Sequence, residues 1–93
     1  MLPRMSEFEV NYRGAVIRIV IETDAASLHI NGLERDKKAL GQDPQTLKLS
    51  SSVQTDYEWH EFIESTLEVE ANQVRVELGA NNQPLLSETV DRP

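Results

Sequence analysis

The chain contains no cysteine, which excludes disulfide staples, thiolate metal sites and cysteine nucleophiles. Small secreted domains often carry disulfides, so their absence leans towards a reducing compartment, and a cytoplasmic protein is expected. Only His29 and His60 offer side chains that titrate near neutral pH. No apolar run approaches the roughly 20 residues a membrane-spanning helix needs, and Met1–Glu7 lacks the apolar centre of a signal peptide. There is no glycine-rich phosphate loop. Basic residues are scarce: nine Lys and Arg stand against sixteen Asp and Glu, for a formal charge of −7. That balance disfavours a nucleic acid or an anionic membrane as partner, and suits a basic protein or peptide.

What the sequence does have is alternation with period two, the mark of strands with one buried face. The clearest stretch is Thr66–Leu78. Leu67, Val69 and Ala71 alternate with acidic residues, then Val74, Val76 and Leu78 alternate with Arg75 and Glu77. Taking Asn72-Gln73 as a two-residue turn, with Asn at positive φ, puts Ala71 opposite Val74 and Glu70 opposite Arg75. Phe8, Val10 and Tyr12 alternate before Arg13-Gly14, a turn. Ala15–Thr23 is apolar on both faces, which suits a central strand; the Val16/Val20 face then needs a cover, and a weak homodimer is one way to supply it.

The remaining strands follow from turn residues. Ser27–Ile30 ends at Asn31-Gly32, a strong hairpin signal, with a short return strand relaxing into a polar loop. The helix formers Leu33–Leu40, ahead of Gly41 as C-cap, are the competing reading. Thr46–Val53 and Leu85–Val90 also alternate. Strands are therefore expected at 6–12, 15–23, 27–30, 46–53, 66–71, 74–79 and 85–90 in a single domain spanning 1–93, with tails at 1–5 and 91–93. Residues 56–65 read two ways. As a helix, Thr55 and Glu58 form a capping box and Trp59, Phe62, Ile63 and Thr66 share a face; as a strand, the aromatics fit a pleated surface. The fold class expected is all-β, an antiparallel β-sandwich or open barrel of six to eight strands. The alternative is α+β, with one helix near 56–65 packed on an antiparallel sheet. No internal repeat is evident.

The functional readings centre on residues 56–70, where six carboxylates occur without a basic side chain. Tyr57, Trp59, His60, Glu61 and Glu64 form the expected partner-binding set, aromatics giving short-range contact and carboxylates steering a basic protein or peptide. His60 and Glu64 also resemble half of a zinc-hydrolase motif, which makes a small metal-dependent hydrolase-like site the alternative function. A structural homo-oligomer subunit is the third reading. The second histidine of the zinc motif is replaced by glutamate, and no third ligand is identifiable. The expectation is accordingly a non-catalytic interaction or ligand-binding module with no metal and no cofactor, and with no catalytic residue assigned.

Overall fold

Alternating apolar residues give eight strands, and turn residues decide where each reverses. The computed structural model describes residues 5–41, 44–54 and 60–91. The strands are β1 (Ser6–Tyr12), β2 (Ala15–Ile21), β3 (Ala25–Ile30), β4 (Leu33–Ala39), β5 (Gln45–Gln54), β6 (His60–Val69), β7 (Gln73–Ala80) and β8 (Gln83–Asp91). They form two four-stranded antiparallel meanders, β1-β2-β3-β4 and β5-β6-β7-β8. The fold is all-β, in keeping with a sandwich or open barrel, and the described residues include no helix, hence none long and apolar enough to cross a membrane.

Ile17, Ile19, Ile21, Leu28 and Ile30 line the inner face of the first sheet, against Leu49, Ile63, Leu67, Val74, Val76 and Leu78 of the second. Burying these branched side chains, each worth about 1.5–3 kcal/mol, drives the two sheets together. At one corner β4 and β5 are joined by side chains. Arg35 donates to the Ser52 carbonyl at 2.9 Å, and the Ser50 N–H donates to Asp36 at 3.0 Å.

Two expectations about elements are corrected. The helix alternative near 56–65 fails over 60–65, which belong to β6; Thr55–Trp59, and with them Tyr57 and Trp59, lie outside the described residues. Residues 33–39 are a full strand in place of a polar loop or helix. They are held along β3 through a bulge at Leu28/His29, pairing that outweighs the helix propensity of an almost wholly exposed segment.

The β6–β7 hairpin also turns one residue earlier than expected. Val69 lies opposite Val74 and Leu67 opposite Val76, and the Glu70 N–H donates to the Gln73 carbonyl across Ala71-Asn72. Asn72 does not take up the positive φ on which the expected turn depends. Because the register moves by an even step, the buried faces survive, but Ala71 is exposed and Arg75 faces Glu68 instead of Glu70.

Strands β2–β4 and β6–β8 are built alike. In the first, Leu28 pairs with Asp36, a bulge follows, and Ile30 pairs with Leu33. In the second, Leu78 pairs with Leu86, a bulge follows, and Ala80 pairs with Gln83. Asn31 at φ 52° and Asn81 at φ 49° open the corresponding turns. Asn31 donates its N–H to the Val16 carbonyl and accepts from the Val16 N–H through Oδ1. Asn81 does the same with Phe62. Aligning the registers makes Ala15 the counterpart of Glu61, Ile19 of Ser65, Leu28 of Leu78 and His29 of Gly79. The repeat lies in backbone register and turn chemistry, which the side-chain sequence alone does not display.

Candidate functional site

Glu61 and Glu64 belong to one strand but face opposite ways. On β6, His60, Phe62, Glu64, Thr66 and Glu68 point outward, while Glu61, Ile63, Ser65, Leu67 and Val69 point into the core. Glu61 is 4% exposed. Its Oε1 accepts from the Arg13 guanidinium at 3.0 Å, the Tyr12 hydroxyl at 3.2 Å and, more weakly, the Asn81 amide at 3.4 Å. Its Oε2 is buried without a hydrogen-bond partner among the described residues. These contacts tie β6 and the β7–β8 turn to the β1–β2 turn. Glu61 thus fastens one end of the two sheets together, a structural duty that removes it from the expected acidic surface.

The outward side of the second sheet carries a groove of about 360 Å³ over β6, β7 and β8. Its central row runs Glu64–Gly79–Pro84, one residue from each strand. At roughly 4.8 Å between neighbouring strands, the row extends about 10 Å. Gly79 leaves the middle without a side chain, and a Cβ there would stand 3.0 Å from the Gln83 carbonyl oxygen beside the bulge. Phe62 walls one side and is 47% exposed. Its backbone N–H and C=O are both held by Asn81, so the ring's position follows from the left-handed turn.

Carboxylates set the sign of the groove. Thr66 pairs with Glu77 in the adjoining row, which places Glu64 and Glu77 diagonally across β6 and β7. Glu77 is engaged by Arg75 at 2.7 Å, and Arg75 also approaches Glu68 at 3.8 Å. Among the described residues no ion pair engages Glu64. An exposed ring beside an unneutralised carboxylate, over a floor of glycine and proline, can receive a chain-like cationic group.

The other expected site residues fall elsewhere. His60 is exposed at the start of β6. It shares the outward face with Glu64, but four residues of strand separate them by roughly 13 Å, too far to grip one ion. Among the described residues no three His, Asp or Glu side chains gather as a metal site. His29 bonds to Ser27 at 2.9 Å on the outward face of the first sheet. Ser27 is buried there between Val20 and Lys37, where a substrate has no approach to its hydroxyl. Val20 is itself buried and Val16 half-buried, so that face exposes less apolar surface than alternation implies.

Sequence reasoning missed Glu77, Gly79 and Pro84. The signal was present at Gly79, a residue without a side chain in the outward slot of an otherwise regular alternation. Comparison of the chain with protein-family models, curated proteins and solved structures returns no match.

Proposed function

We propose that the chain is a non-catalytic binding module that docks a basic segment of a partner protein on the outward face of its second sheet. The observation that carries this reading is the groove over Gly79, walled by the exposed Phe62 ring and flanked by Glu64 and Glu77. The net charge of −7 adds long-range attraction for a positive partner and acts mainly on the rate of encounter. Phe62 supplies the short-range apolar contact that charge lacks. The cysteine-free composition favours a cytoplasmic setting for this exchange.

The test uses a tetralysine peptide and the full chain. Binding should be measurable at low salt, weaken as ionic strength shortens the screening length, and fall sharply in Glu64→Lys. Equal binding by wild type and Glu64→Lys at both low and high salt would remove this face from the account.

A further inference from the structure

The two sheets carry the same row of register positions with different contents. In the first sheet the row beside the bulge is Arg18–His29–Glu34. In the second it is Glu64–Gly79–Pro84. The first row therefore holds its own cation and its own ring, and Arg18 is already paired with Glu9 at 3.2 Å. The second row has a carboxylate at one end, no side chain in the middle and the compact apolar ring of proline at the other.

From this contrast, and resting on the binding role proposed above, we infer that the groove is a receptor for a single arginine side chain of the partner. The stem lies across Gly79 towards Pro84, and the guanidinium meets the Glu64 carboxylate with its face against Phe62. Arginine fits these features better than lysine for two reasons. Its planar fork can make paired hydrogen bonds to one carboxylate. Its weakly hydrated, delocalised cation also stacks on an aromatic face at smaller desolvation cost. The chain itself shows the pairing next door, where Arg75 engages Glu77 at 2.7 Å on the same face.

The experiment compares three peptides of one neutral sequence that differ at a single central residue: arginine, lysine or citrulline. Tetralysine serves as the control for general attraction to the face. The arginine peptide should bind roughly tenfold more tightly than the lysine peptide. The citrulline peptide, isosteric but uncharged, should not bind measurably. Phe62→Ala, a change at an exposed ring, should weaken the arginine peptide more than the lysine peptide and so abolish the arginine advantage. Glu64→Gln should weaken both peptides and tetralysine. Equal affinities for the arginine and lysine peptides, with tetralysine still bound and still sensitive to Glu64→Gln, would overturn the arginine receptor and leave the basic-segment reading standing. Failure of every peptide, tetralysine included, to bind the folded protein would overturn both.

Discussion

Gly79 stands in the second sheet where His29 stands in the first, at the same register position beside the same bulge. In the first sheet the imidazole bonds to Ser27 and occupies its own surface. In the second the missing side chain leaves a groove between Glu64, Phe62 and Pro84. A matching framework with opposite contents at one row is what separates a filled face from a grooved one.

The two neighbouring glutamates should respond in opposite ways to charge reversal. Glu61→Lys replaces a buried acceptor of three donors with a cation facing Arg13, and should cost about 3–5 kcal/mol. Glu64→Lys changes an outward side chain and should cost no more than about 0.5 kcal/mol. Chemical denaturation of the two single mutants checks this, and equal stabilities would mean that Glu61 is not the fastening described.

Ser65 presents the reverse case. It is fully buried, its Oγ has no partner among the described residues, and its counterpart in the first sheet is Ile19. A desolvated hydroxyl without a hydrogen bond is destabilising by about 1–3 kcal/mol. Ser65→Ala should therefore maintain or raise the unfolding midpoint. A loss above about 1 kcal/mol would show that the hydroxyl is satisfied in solution.

The paired asparagine turns make the structural repeat measurable. Asn31→Ala and Asn81→Ala each remove a side-chain acceptor from a backbone N–H and force alanine to positive φ. Each should cost about 1–2 kcal/mol. Asn81→Ala should in addition change the ring shifts of Phe62, whose N–H loses its acceptor. If only one of the two substitutions destabilises the protein, the turns are not equivalent.

Register separates Val76 from Ala71. Val76→Asp puts an unpaired charge into the core, at a residue with no exposure, and should abolish or nearly abolish folding. Ala71→Asp falls on the exposed tip of the β6–β7 turn and should be tolerated within about 0.5 kcal/mol. Thermal unfolding of both distinguishes the observed register from one that buries Ala71.

The all-β class, the strands of both sheets apart from β4 and the first half of β6, and the inward sets on β2 and β7 were legible because alternation is local. β4 was not, since its seven residues pair through backbone groups and expose nearly all of their side chains; nothing apolar reports the strand. The β6–β7 turn was misplaced by one residue because Asn72 invites a left-handed conformation that the chain takes up at Asn31, Asn81 and Asn82 instead. The site was legible in part. Glu64 and Phe62 were within the acidic segment, but Glu61 could be assigned inward only once the phase of β6 was known. The groove needed three strands in register, and no single stretch of sequence contains it.

The most direct measurement of the central claim is a map of backbone amide chemical shifts as the labelled protein is titrated with the single-arginine peptide. Shifts should cluster at Phe62–Thr66, Glu77–Gly79 and Leu85–Ser87, grow with peptide and be suppressed by salt, while Arg18, Ser27 and His29 on the outward face of the first sheet stay fixed. Shifts centred on that first face, or none anywhere at millimolar peptide, would contradict the claim.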